Sequence, residues 1–332
     1  MLCKLLENQV CVRSDGQFRL CCVSTEESNI ESITTHTIED WFSSKTVTNA
    51  RRQFANDEWP DACAKCKSQE ESGQPSKRLA SMNYGPGISH LDIRFGNSCN
   101  LSCSMCWPGS SSSLVYEHQK LLDNNIESPW GNNQFTVLNW YEDKYAELFA
   151  NIPTLKEVYL TGGEPMMVKG LIHFVRLLAS DVILRFNTNG TILNPELFNE
   201  IKRFKKVNMS FSIDGVGPVN NYIRWGSDWN TICNNIKICQ DAGFEVSISP
   251  TVQILNEIYM VQLHNWARHQ SIPVFKNKLI NPSYFNTDNA VWHGGSKEMQ
   301  ETFIKYIKIL DSSRGCNIKD YLPEIAQSYG IN

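Results

Sequence analysis

From His90 onward, short β-branched or apolar runs alternate with segments of helical period, and this alternation predicts an α/β fold built on a parallel sheet. Cysteine placement adds a second element. Of twelve cysteines in 332 residues, six lie in the first 66 positions and three more between Cys99 and Cys106, so a small cysteine-rich module is expected ahead of the α/β body. A stretch holding Gly73, Pro75, Gly85 and Pro86 reads as the linker between them. A chain of this length can bury one sizeable core and carry a smaller second module.

The expected strands are His90–Phe95, Glu157–Thr161, Ile183–Thr188, Val207–Ile213, Glu245–Thr251 and Val274–Ile280, which makes six β–α units. The helices between them are expected at Ser111–Asp123, Val168–Ala179, Pro195–Phe204, Asn230–Ala242 and Glu257–Gln270. Asn194 before Pro195 reads as an N-cap followed by proline at the first helical position, and Gly243 as a helix stop. Asn124 to Trp140 is rich in Asn, Gly and aromatics and fits neither period, so it is expected as a loop that could cover the mouth of the fold. Lys297–Leu310 reads as an amphipathic terminal helix. These features divide the chain into a module with its linker over 1–80, an α/β body over 88–285 and a helical extension over 286–332.

The formal net charge is −4, which leaves no global basic field to attract nucleic acid or anionic lipid. No run of 18 apolar residues occurs, and Met1 to Val10 lacks the pattern of a secretory signal. A cytoplasmic protein without membrane or clear nucleic-acid partners is expected. In a reducing compartment, clustered cysteines point to metal rather than to disulfides.

Directly after the first strand of the body stands Gly96-Asn97-Ser98-Cys99-Asn100-Leu101-Ser102-Cys103-Ser104-Met105-Cys106-Trp107-Pro108. A compact loop at a strand's C-terminal end can turn three thiolates to one face, as an iron–sulfur cube requires. Three ligands leave one iron open. A zinc knuckle or a chance group of buried thiols is the alternative. The spacing resembles that of the radical S-adenosylmethionine (SAM) superfamily. The resemblance implies a partial (β/α)6 TIM-like barrel and a [4Fe–4S] cluster whose open iron is chelated by SAM. It also implies reductive cleavage of SAM to a 5′-deoxyadenosyl radical that abstracts a substrate hydrogen, with a flavodoxin- or ferredoxin-type protein as electron donor. The position before the third cysteine is often aromatic in that family; here it is Met105, placed by the resemblance near adenine.

Later strand ends carry further segments that resemble the same family. Thr161-Gly162-Gly163-Glu164-Pro165 is similar to its GGE motif, in which two glycines admit a ligand close to the backbone and Glu164 accepts from the methionyl ammonium. Asn187-Thr188-Asn189-Gly190 and Ser210-Phe211-Ser212-Ile213-Asp214-Gly215 put small polar side chains where a nucleoside would lie, and the resemblance assigns Asn189, Ser212 and Asp214 to SAM. Arg224 matches an arginine that pairs with the SAM carboxylate, and Gln253 is expected near adenine. Read alone, Asn-Gly and Asp-Gly are turn dipeptides, and Arg224 a solvated surface arginine.

In the module, Cys3, Gly16, Cys21 and the pair Cys63/Cys66 resemble an auxiliary-cluster half-domain called twitch, related to SPASM, placed here before the barrel. Gly16 is expected to turn a hairpin that brings Cys21 towards Cys3. The four thiolates Cys3, Cys21, Cys63 and Cys66 would then hold a second [4Fe–4S] cluster, with structural zinc as the alternative. Cys22 competes with Cys21, since neighbours on a strand face opposite ways, and Cys11 lies on the same hairpin. Thr37 to Trp41, Gln69 to Gly73 and Ser76 to Arg78 also match segments of such modules. Cys233, Cys239 and Cys316 read as buried filler, with a hydrogen-atom donor as the alternative for Cys316; no catalytic acid or base stands out. The second cluster and the aromatic loop near Trp130 suggest a peptide or protein substrate. The alternatives are a small-molecule dehydrogenase or epimerase acting on a sugar or amino alcohol, and a zinc-stabilised binding protein without catalysis.

Overall fold

The computed structural model describes residues 1–25 and 31–331, so 26–30 of the N-terminal module and the last position of the C-terminal extension lie outside the described residues. Seven strands, β1 (Gln9–Val12), β2 (Phe18–Arg19), β3 (His90–Ile93), β4 (Glu157–Leu160), β5 (Ile183–Thr188), β6 (Val207–Phe211) and β7 (Glu245–Ile248), form a sheet in the order β2-β1-β3-β4-β5-β6-β7. The β1–β2 hairpin is antiparallel; β1–β3, β3–β4, β4–β5 and β6–β7 are parallel. This is the α/β class that the alternation predicts, a partial barrel. Among the described residues no helix is long and apolar enough to cross a membrane.

The chain divides into two compact units, each assembled from several segments. The first comprises Met1–Asn97, Leu138–Phe186 and Pro195–Val207. Its hairpin turns at Gly16, with φ at +81°, and the Arg13 amide donates to the Gln17 carbonyl at 2.8 Å. Besides forming the hairpin, β1 pairs along its whole length with β3, so the module supplies a strand to the main sheet. A capping box at Thr37, whose side chain and Asp40 satisfy each other's backbone amides, starts the helix Ile38–Ser43. That helix delivers Trp41, 1% exposed, onto Phe18 in a stack with ring centroids 5.3 Å apart. Truncating it, Trp41→Ala, is expected to cost about 3–5 kcal/mol, seen as a lower urea midpoint at unchanged slope.

Strand register gives this part of the sheet two unlike faces. Val10, Val12, Leu91, Ile93, Val158, Leu160, Leu184 and Phe186 alternate onto one face and are at most 1% exposed. Polar residues take the other face, where Cys11, Asp92, Tyr159 and Arg185 stand in one row across four strands.

The second unit comprises Ser98–Val137, Asn187–Asn194 and the chain from Asn208 onward. Its helices Ser112–Asp123, Trp229–Asp241 and Met260–His269 lie within two residues of three of the expected ones, apart from a short 3-10 turn over Glu257–Tyr259 that precedes the last. The strand expected over Val274–Ile280 is reduced to a single bridge, Val274 to Ile248, and a two-residue pairing of Asn277–Lys278 with Thr251–Val252. Phe275 and Ile280 are more than 60% exposed, so this run lacks the buried face that would hold a full strand in register. The terminal helix runs Lys297–Arg314, four residues beyond expectation, and buries Phe303, Ile307 and Leu310 against Phe285 and Ile325. Residues 124–137 form the expected loop. His118 braces it, with Nδ1 2.6 Å from Ser128 Oγ, Nε2 2.7 Å from the Asn133 carbonyl, and Phe135 edge-on.

Candidate iron–sulfur and SAM site

The Cys99–Cys106 loop leaves β3 and is tied down by its own unit. The Ser102 and Ser104 amides donate to the Trp225 and Ile223 carbonyls at 2.9 and 2.8 Å. Four successive serines open the following helix, and three of them grip the loop: Ser111 donates to the Leu101 carbonyl at 2.7 Å, and Ser112 and Ser113 to that of Cys99 at 3.0 and 2.8 Å. From the other side Arg314 donates to the Ser102 carbonyl at 2.7 Å and to Ser104 Oγ at 3.3 Å. Its guanidinium is paired with Glu117 at 3.1 Å, and the Arg314 side chain is only 2% exposed. Removing one partner of a buried pair costs about 3–5 kcal/mol, so Arg314→Gln is expected to lower the unfolding temperature and loosen the loop.

Within this frame Cys99 and Cys103 are each 8% exposed and pack with Leu101, while Cys106 and Met105 lie against them. Burial pushes the Cys103 thiol far up, and the Cys106 thiol to about 11, with Cys99 adding to both shifts. Buried neighbouring thiols of this kind ionise only when a cation joins them, which is what a metal centre supplies. Two donors already face the sulfurs, Asn189 Nδ2 at 3.9 Å from Cys99 Sγ and Arg224 Nη1 at 3.9 Å from Cys103 Sγ. Hydrogen bonds to ligand sulfurs are a principal control on cluster potential. Among the described residues no three Cys, His, Asp or Glu side chains are already gathered to hold a metal ion; it is the chemistry of the thiols and of the donors beside them that suits an iron–sulfur group.

A model of the radical SAM superfamily matches residues 93–267. The chain belongs to the radical SAM superfamily. It is therefore an enzyme of the class that pairs a [4Fe–4S] cluster with SAM, as the cysteine spacing leads one to expect. A model of the SPASM iron–sulfur cluster-binding domain matches residues 3–67, so the auxiliary cluster is iron–sulfur and precedes the barrel. Among curated relatives, the GTP 3′,8-cyclase of Synechocystis sp. is 22% identical over 61% of this chain and 58% of its own length. That of Geobacter sulfurreducens is 27% identical over 40% of this chain and 36% of its own. The chain thus spans less than two thirds of either relative. Among solved structures, anSMEcpe with bound AdoMet aligns with a TM-score of 0.46 at 17% identity, over 69% of this chain and 63% of that one. Streptococcus suis SuiB bound to precursor peptide SuiA aligns with a TM-score of 0.42 at 13% identity, over 75% and 60%.

The other expected cofactor contacts of this radical SAM chain fall into two groups. Arg224 is buried and its Nε lies 2.8 Å from Asp214 Oδ2, so it is not a solvated surface arginine. Asp214 Oδ1 in turn accepts from the Thr251 amide at 2.7 Å. Ser212 Oγ lies 3.3 Å from Asn187 Oδ1. Gln253 is fully buried, and its Oε1 has no hydrogen-bond partner. An orphaned acceptor of this kind suits an amino group such as that of adenine. Met105 packs on both the cysteine cluster and the C-terminal core.

Gly162, Gly163, Glu164 and Pro165 belong to the first unit. Gly162 has φ at +78°, and a Cβ there would come within 2.5 Å of Arg94 Cβ, so any side chain at 162 would displace Arg94 as well as strain the backbone. Glu164 is fully buried and caps the turn Pro165–Met167 by accepting from the Met166 amide at 3.1 Å.

In the N-terminal module, burial raises the Cys3 and Cys21 thiols, and Cys66 acts on both. Backbone amides of Leu5 and Leu6 point at Cys3, and those of Val23 and Ser24 at Cys21. Cys63 caps the helix Ala64–Glu71 and Cys66 sits in its first turn, a spacing that puts both thiols on one side. Cys22 points elsewhere, towards Asp92, Lys77 and Arg94. Arg78, paired with Glu70 through Nε at 2.9 Å, adds positive charge near Cys3 and Cys66. Cys11 is buried on the polar sheet face beside Asp92, with Cys21 and Cys22 near enough to act on its thiol. Cys239 is fully buried filler, Cys233 is partly exposed, and Cys316 donates to Asp311 at 3.5 Å beside the C-terminal core.

Proposed function

We propose that Cys99, Cys103 and Cys106 hold a [4Fe–4S] cluster with one open iron, and that the chain modifies a peptide or protein by radical chemistry. Bound there, SAM is cleaved reductively and supplies the 5′-deoxyadenosyl radical that takes a hydrogen atom from the substrate. The observation that carries this reading is the buried pair Cys99 and Cys103, with partly buried Cys106 against it and with Asn189 and Arg224 directed at the two buried sulfurs. Arg224, held by Asp214, balances ligand charge and stands ready for the SAM carboxylate. Glu164, with Gly162, Gly163 and Pro165 shaping its turn, takes the methionyl ammonium. Asn189 and Ser212 serve the ribose, and Met105 and Gln253 the adenine. Cys3, Cys21, Cys63 and Cys66 hold the auxiliary cluster, and a flavodoxin- or ferredoxin-type protein delivers electrons.

The peptide reading is supported by the SPASM match over 3–67, because auxiliary-cluster enzymes often act on ribosomally made peptides. A second reading, a small-molecule substrate, is favoured by the curated relatives named GTP 3′,8-cyclase. Anaerobically reconstituted protein incubated with SAM, dithionite and either a peptide library or GTP separates them: the true substrate changes mass and, when supplied deuterated, passes deuterium to 5′-deoxyadenosine. Failure to form 5′-deoxyadenosine under any of these conditions would overturn the enzyme reading.

A further inference from the structure

The polar face of the first unit's sheet carries a group that neither cluster uses. Cys11, Asp92, Tyr159 and Arg185 stand side by side on β1, β3, β4 and β5. The ladder continues one residue past β3, the Arg94 amide donating to the Val12 carbonyl at 3.1 Å, so Arg94 projects on the same face as Asp92, two residues on. Asp92 is 1% exposed, and among the described residues neither of its carboxylate oxygens closes a full hydrogen bond, with only the Cys22 thiol lying beside it. The Nε of Arg94 is buried and likewise without a partner. Asp92 acts on Arg94 only at longer range, and among the described residues the guanidinium closes no ion pair. Its stem lies in the space left by the missing Cβ of Gly162.

Buried polar groups are normally paired, and an unpaired carboxyl beside a guanidinium whose Nε is unpaired needs an explanation outside ordinary packing. A structural ion pair would close to contact distance, and these two do not. Around the Asp92 carboxyl stand Arg94, Lys77 and Arg19, three cations to one acid, so an added anion is the complementary partner. The guanidinium fork matches planar or tetrahedral oxyanions through two parallel N–H donors.

We propose that Arg94, with Asp92 behind it, anchors an oxyanion of the substrate, a carboxylate or a phosphate, on the polar sheet face. This rests on the proposed function in that the anion belongs to that reaction's substrate. Arg94 fixes the anion, and Asp92 exchanges a hydrogen bond with a neighbouring hydroxyl or amide. A carboxylate points to an acidic peptide side chain or terminus, a phosphate to a nucleotide-like small molecule.

The test is anaerobic isothermal titration of the reconstituted protein with glutarate and, separately, with inorganic phosphate. One of the two is expected to bind at one site per chain, and Arg94→Gln to weaken it roughly 10- to 100-fold, the loss of a charge-assisted contact. Arg94→Lys, which keeps the charge but not the fork, should weaken it less, and it decides the matter if Arg94→Gln fails to fold. Binding of neither anion, or unchanged binding in the folded variants, overturns the proposal. Iron content and 5′-deoxyadenosine release are read in parallel. Arg94-dependent anion binding without SAM cleavage would sink the radical reading and leave this site standing; SAM cleavage without anion binding would do the reverse.

Discussion

Replacing Cys99, Cys103 and Cys106 together with alanine is expected to lower iron from about eight to about four per chain and to abolish 5′-deoxyadenosine formation. Cys99 and Cys103 are buried around Leu101 with Cys106 partly buried against them, so under the proposed assignment the three would share one cluster. The chain around them should survive, because the loop is fixed by backbone and serine contacts that involve no sulfur: the Ser102 and Ser104 amides on residues 225 and 223, and Ser111 to Ser113 on its carbonyls. Alanine in place of these three cysteines removes little volume. The N-terminal thiols lie in the other compact unit and should keep their iron. Iron and sulfide analysis with circular dichroism checks this. Retained 5′-deoxyadenosine would refute the assignment of the triad, and complete loss of iron in folded protein would refute a separate second cluster.

The features read most clearly from sequence are those whose chemistry is local. Three cysteines within eight positions, two glycines before Glu164, a glycine at a hairpin turn and Thr37 facing Asp40 each act within a few residues, so spacing alone carries the signal. What stayed hidden depends on partners distant in the chain. The pairing of β1 with β3 joins residues 9–12 to 90–93, and no period reveals which strand a strand will choose. Arg314 reaches the cysteine loop from more than two hundred positions away, and in the sequence it is one basic residue at a helix end. The serine collar was visible as a run but read only as a helix start.

Arg94 and Asp92 were hidden for another reason. Both fall inside a strand whose apolar neighbours Leu91 and Ile93 fit a simple alternation, so they pass as its exposed half. Only the structure shows Asp92 at 1% exposure. The strand expected at Val274–Ile280 illustrates the opposite error: its composition suits a strand, yet Phe275 and Ile280 are left exposed. Composition states what a segment can bury, and the fold decides whether anything is there to bury it against.

Cys21 and Cys22 can be separated by experiment because their surroundings differ, although β2 ends at Arg19 and both lie beyond the strand whose alternation was to part them. Cys21 is 7% exposed, shares its surroundings with Cys3 and Cys66, and receives backbone amides from Val23 and Ser24. Cys22 faces Asp92, and burial raises its thiol to about 12, so it stays protonated next to a carboxyl rather than ionising beside iron. Cys21→Ala is therefore expected to lower iron by about four per chain, whereas Cys22→Ala should keep the full complement. Both single variants should still form 5′-deoxyadenosine, since the triad is untouched, and Cys21→Ala should fail to couple it to substrate. If the two behave alike in iron content, their surroundings do not discriminate them and the auxiliary ligand set has to be redrawn. If Cys22→Ala keeps its iron but no longer binds the anion at Arg94, the thiol belongs to the polar sheet face, and the hairpin carries cluster ligand on one side and substrate contact on the other.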